Sequence, residues 1–179
     1  MQMACITPPD ICYMIPYTDQ GNLENMLADS NIEMTAADSL KLAIQVAKGL
    51  VYLHELKPPI VHGNLKTSNI LLWDKANVIL ADFGFSKSVF QKTVAQPLHY
   101  YEPEWMAPEQ LVDQKVEDQR LTDIYTFGLV LFAIITRQRL FEISNPMVLG
   151  YMIAELLLQP EIPAFVPNIL VNVSYDRLD

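Results

Sequence analysis

A chain of 179 residues with 51% hydrophobic and 18% charged residues is long enough for one full-sized domain, which at that length buries roughly 70% of the surface its unfolded chain exposes. That balance excludes intrinsic disorder, and 6 glycines without a three-residue repeat exclude a collagen-like fibre. With 12 Lys and Arg against 21 Asp and Glu the net charge is −9, which argues against nucleic acid or an anionic membrane as partner, because both select cationic surfaces.

The first ten residues, Met1 to Asp10, lack the basic start and apolar run of a secretory signal. Cys5 and Cys12 are the two thiols of the chain, too few for a disulfide framework and without zinc-site spacing. Both observations lead us to expect a reducing, cytoplasmic setting. Ile11 to Tyr17 is β-prone and runs into the turn signal Thr18-Asp19-Gln20-Gly21, after which Asn22 to Leu27 suits a short helix. From Ala36 to Glu55 the apolar residues Leu40, Ile44, Ala47 and Val51 recur at the period of one helical face, and Pro58-Pro59 forbids continuation.

A polar stretch, His62 to Asn69, precedes two short apolar strands, Ile70 to Leu72 and Val78 to Leu80, which the intervening Asp74 to Asn77 turns into a hairpin. Phe85 to Met106 carries no sustained period, and an irregular stretch of that length in a compact domain points to a functional loop. A helical turn is expected at Glu109 to Val112. Leu121 to Arg137 reads as a helix apolar nearly all round, which belongs in the middle of a core. Its most apolar part, Ile124 to Ile135, is too short to cross a bilayer, which takes about 20 residues. Pro146 to Leu158 is a further helix, ended by Pro160.

Three segments carry chemistry: His62-Gly63-Asn64-Leu65-Lys66-Thr67-Ser68-Asn69, then Asp82-Phe83-Gly84, then Ala107-Pro108-Glu109. In this order they resemble the signature set of the protein kinases. The first matches H-R-D-L-x-x-x-N at His62, Leu65 and Asn69 but not at Gly63 and Asn64, and the other two match D-F-G and A-P-E in full. Met14 to Thr18 is similar to the strand that hinges the two kinase lobes, and Asp123 to Gly128 to the D-x-W-S-F-G start of the central helix.

The resemblance implies a mostly α (α+β) fold, a kinase-like C-terminal lobe over residues 18–179 that stops before the last helices. Residues 1–17 would be a vestige of the N-terminal lobe and hinge, the rest of that lobe being absent, since neither G-x-G-x-x-G nor V-A-I-K occurs in the chain. It implies ATP and Mg²⁺ as cofactors, weakly bound if at all. Asp82 and Asn69 would be the metal-binding oxygens, Lys66 the cation near the γ-phosphate, and Pro16, Thr18 and Leu71 the nucleotide contacts. His62, Phe83, Gly84, Glu109 and Asp123 would be structural, with Asp123 bracing the backbone of the loop near His62.

Asn64 stands where the resemblance places the catalytic Asp, and a neutral carboxamide accepts no proton at physiological pH. Loss of general base catalysis is typically worth about 10²–10⁴-fold. Tyr101-Glu102 also stands where the family usually carries Gly-Thr. The expectation is a pseudokinase-like domain with weak or no phosphotransfer that acts by binding nucleotide or a protein partner, such as another kinase. Two alternatives stay open: part of an active Ser/Thr kinase whose N-terminal lobe lies elsewhere, and the kinase homology domain of a receptor guanylyl cyclase, which shares the H-G-N-L-K-x-S-N pattern.

Overall fold

In the computed structural model, residues 3–5, 12–14, 17–73, 77–83, 102–112 and 118–166 are described, the first two segments by their backbone alone. Strands β1 (Met3–Cys5) and β2 (Cys12–Met14) form an antiparallel pair with Met3 opposite Met14 and Cys5 opposite Cys12. Within the expected strand at Ile11 to Tyr17, Cys12–Met14 is described as strand, and its partner was not anticipated. Helix α1 (Leu23–Ala28) starts where Asn22 caps it, the Asn22 side chain accepting from Asn25 N–H at 2.9 Å.

Helix α2 (Ala36–Glu55) has the bounds expected from sequence. A reciprocal cap opens it: Thr35 Oγ1 accepts from Asp38 N–H at 3.2 Å, and the Asp38 carboxylate accepts from Thr35 N–H at 3.0 Å. The Thr35 hydroxyl, which donates to Asp38 Oδ2 at 2.6 Å, and the Thr35 main-chain N–H together hold the Asp38 carboxyl below its ordinary pKa. The buried face of α2 is Leu42, Ala43, Val46, Leu50 and Leu53. The stripe picked out by periodicity lies on the other side, with Leu40 59%, Ile44 44% and Val51 53% exposed. Both sets fit a 3.6-residue period; what selects between them is the neighbour, since α2 packs against helix α4 (Arg120–Thr136).

Strands β3 (Ile70–Leu72) and β4 (Val78–Leu80) form the expected hairpin, with Ile70 opposite Leu80 and Leu72 opposite Val78. It lies on α2 at Gly49, where an added Cβ would come within 2.7 Å of Leu80 Cδ1, so any larger residue there would force the Leu80 side chain to shift. Leu72 N–H donates to Gly21 O at 3.0 Å, tying the hairpin to the entrance of α1. Ile70 and Leu72 join Leu23, Leu27, Leu65, Val46, Leu50, Val130, Ala133 and Ile134 in one buried cluster.

Helix α3 (Pro108–Leu111) is the short turn expected near Glu109. Helix α4 buries Thr122, Asp123, Thr126, Leu129, Val130, Ala133 and Ile134. Burial all round does not hold at its N-terminal end, where Leu121 and Ile124 are exposed. The helix stops at Arg137, in the left-handed region at φ +55°, and the guanidinium donates to the carbonyls of Met26, Leu27, Asp29 and Ile32, closing the C-terminal end of α1. Helix α5 (Pro146–Leu156) is capped by Asn145 and ends at Leu156, two residues before the expected end at Leu158, with Leu157 in the left-handed region ahead of Pro160. The structure is largely helical with few strands, as expected. Among the described residues no helix is long and apolar enough to cross a membrane. Most of the irregular stretch from Phe85 to Met106 lies outside the described residues.

Candidate active site

The loop from Val61 to Asn69 takes its shape from a carboxylate far along the chain. Asp123, buried on the first turn of α4, accepts from the main-chain N–H of His62 on Oδ2 and of Gly63 on Oδ1, both at 2.8 Å. His54 Nε2, at the end of α2, lies 2.7 Å from the same Oδ2. Two successive amides pinned by one carboxylate turn the chain sharply at Gly63, whose φ of +73° is open to glycine.

His62 is fully buried, and burial holds its imidazole below the ordinary pKa despite the nearby Asp123 and Asp82 charges. Nδ1 accepts from Asn64 N–H at 3.3 Å, which places the proton of the neutral ring on Nε2. That Nε2 is buried and has no hydrogen-bond partner among the described residues. The ring stands 6.2 Å from the Phe83 ring, tilted by 59°.

Asn64 sits between the two oxygen-bearing residues of the site. Its Nδ2 donates to Asp82 Oδ2 at 2.6 Å, and its main-chain carbonyl accepts from Asn69 Nδ2 at 2.8 Å. An ionised carboxylate only accepts, so the Asn64 amide must present nitrogen to Asp82. Asp82 itself adopts φ +58°, a strained conformation for a residue with a side chain. With its nitrogen committed to Asn64, Asn69 keeps a carboxamide oxygen as its accepting end. A carboxylate and a carboxamide oxygen fit Mg²⁺, which takes one or two protein oxygens and completes its shell with water and phosphate.

Lys66 and Glu102 form a close ion pair, both residues lying just before a 3₁₀ turn, Thr67–Asn69 and Pro103–Trp105 respectively. Each turn closes on the carbonyl of its leading residue, Asn69 N–H donating to Lys66 O at 3.0 Å and Trp105 N–H to Glu102 O at 3.1 Å. Next to this pair Glu104 is half-buried, and burial raises its carboxyl pKa, reinforced by the Glu102 and Glu24 charges. A cavity of about 520 Å³ opens here, walled among others by Glu24, Thr67, Glu104, Trp105 and Arg137.

The remaining sequence candidates fall as follows. Thr18 Oγ1 donates to Leu72 O, and Leu71 is half-buried on β3, bridged to Asn22. Glu109 lies close enough to Tyr125 to add to burial in pushing that phenol up to about 12. Pro16 and Gly84 lie outside the described residues. Sequence reasoning did not assign His54 a contact with Asp123, Glu102 a contact with Lys66, or Arg137 a capping role. The last two are pairings over 36 and more than 100 residues, for which a single sequence carries no local signal.

The family model described as protein tyrosine and serine/threonine kinase matches residues 1–172. With that match, the motif-bearing loop and its brace from α4, the chain belongs to the protein tyrosine and serine/threonine kinase family. Among its relatives, "Dual specificity protein kinase shkA" of Dictyostelium discoideum is 34% identical over 172 residues, covering 93% of this chain and 32% of its own length. "Serine/threonine-protein kinase CTR1" of Arabidopsis thaliana is 31% identical, covering 98% of this chain and 22% of its own length. "Probable serine/threonine-protein kinase drkA" of Dictyostelium discoideum is 30% identical, covering 98% and 27%. The chain thus spans less than a third of the length of each of these relatives.

Proposed function

We propose that this chain is a kinase-like large-lobe domain with weak or no phosphotransfer, which works by binding nucleotide with Mg²⁺ or by engaging a protein partner. One observation carries the reading: the Asn64 amide donates to Asp82 at the position where the family motif puts a proton acceptor. Phosphoryl transfer is mostly positioning and charge neutralisation, and Asp82, Asn69 and Lys66 retain the residue types for it. What the loop lacks is a group to take the hydroxyl proton. Asp82 and Asn69 would hold the metal, Lys66 would face a phosphate, and Thr18 and Leu71 would line the nucleotide.

The test pairs a binding and a turnover measurement. Mg·ATP at 100-fold excess over Kd adds about 2.7 kcal/mol of stability, a rise in melting temperature that is readily measured. Asn64→Asp should then raise phosphate incorporation into a generic Ser/Thr substrate by up to the ~10²–10⁴-fold worth of a general base. Robust transfer by the unaltered chain, lost in Asp82→Ala, would refute the reading. It would favour a second one, an active Ser/Thr kinase domain, which the names of the relatives support.

A further inference from the structure

The ion pair between Lys66 and Glu102 joins two segments that the proposed function leaves unconnected. Lys66 is held in the loop by a 3₁₀ turn, its side chain is 17% exposed, and its ammonium faces a carboxylate 36 residues away in sequence. Glu102 is fixed in the same manner by the turn that follows it, with its side chain 43% exposed. Neither residue is therefore a freely swinging surface charge. We propose that Glu102 is an internal counter-ion that sets the affinity of the site for phosphate: a phosphate group arriving at Lys66 must displace a carboxylate already seated there.

The chemistry is that of competition between two anions for one ammonium. Phosphate oxygens and a carboxylate make the same charge-assisted hydrogen bonds to Lys. The resident carboxylate has the advantage of being tethered, so part of the entropy of association is already spent. The Glu104 carboxylate, close enough to feel the charges of both Glu102 and Lys66, adds negative charge on that side, which further opposes an incoming polyanion. A hydroxyl at position 102 would leave the ammonium for the ligand. The site as built is thus biased toward a self-occupied form in which the Asn64 amide hydrogen-bonds Asp82 and the Glu102 carboxylate neutralises Lys66.

The inference rests on Lys66 facing phosphate in the proposed function, and the experiment separates the two. Mg·ATP affinity is measured by calorimetry on the full chain, on Glu102→Gln, which keeps the shape and removes the charge, on Lys66→Ala, and on the double variant. The rate of Lys66 acylation by an amine-selective reagent is read by mass spectrometry on the first two. We expect Glu102→Gln to acylate faster at Lys66 and to bind Mg·ATP about fivefold more tightly, the upper range for a partly exposed ion pair. The gain should vanish when Lys66→Ala is the background. Binding by the unaltered chain with no gain in Glu102→Gln, a gain that persists without Lys66, or an unchanged acylation rate each overturns the role of Glu102 and leaves nucleotide binding standing. No binding by any of the four forms overturns both.

Discussion

Removing the Asp123 carboxylate is the sharpest test of how the loop is held. In Asp123→Ala the main-chain N–H groups of His62 and Gly63 lose acceptors at 2.8 Å, and the side chain they lose is almost fully buried. An orphaned buried donor costs about 1–3 kcal/mol, so two of them come to about 4 kcal/mol. Loss of the His54 contact at 2.7 Å adds about 1 kcal/mol, since that ring lies nearer solvent. A chain of this size loses about 2–4 °C in Tm per kcal/mol, giving a fall of roughly 10–20 °C. Circular dichroism melts at 222 nm, with urea titration as a second route, measure it. His54→Ala is the control, with an expected fall of about 2–4 °C. If Asp123→Ala loses no more than His54→Ala, the two amides are not held as described and the account of the loop fails.

Other expected outcomes follow from the same geometry. Arg137→Ala removes donors to four carbonyls around the end of α1 and should cost about 2–3 kcal/mol, with faster amide hydrogen exchange over residues 27–32; unchanged exchange there would contradict the cap. Glu104 has a folded-state pKa raised above its ordinary 4.5, so its burial costs stability above that pH and nothing once both states are protonated. Glu104→Gln should therefore melt higher than the parent at pH 7, with the gap narrowing as pH falls from the raised value toward 4.5 and closed below it. His62 is shifted the other way for a base, its folded pKa lying below 6.5, so the unfolded chain binds the extra proton and stability falls as pH drops below 6.5. His62→Asn, which keeps an acceptor for Asn64 N–H, should flatten that limb of the unfolding profile. Asn64→Asp places two carboxylates where 2.6 Å now separates donor from acceptor, so its Tm should become dependent on Mg²⁺, measured with and without chelator.

The sequence made the motifs legible because each is contiguous, and the hairpin between the loop and Asp82 because its apolar runs and turn are local. The end of α2 was legible for a similar reason, since Pro58-Pro59 closes it, while the Thr35 and Asp38 cap that opens it went unread. Its buried face was not legible either. Leu40, Ile44 and Val51 are as periodic as Leu42, Val46, Leu50 and Leu53, and the choice is made by α4, about eighty residues on. Likewise nothing near Lys66 announces Glu102, and nothing near Arg137 announces the carbonyls around α1. Long-range polar pairing is where the local reading stopped, and those pairs are what give the candidate site its electrostatics.

The grip of Asp123 on amides 60 and 61 residues earlier also says when the loop acquires its form. A chain in which the hairpin has zipped but α4 has not yet docked lacks the carboxylate that pins the amides of His62 and Gly63. The shape of this loop therefore arrives with non-local assembly, at the slow end of folding, and not with the local turns that flank it. Any contact that loosens the seat of α4 on α2, however distant from Asn64, reaches the loop through a single carboxylate.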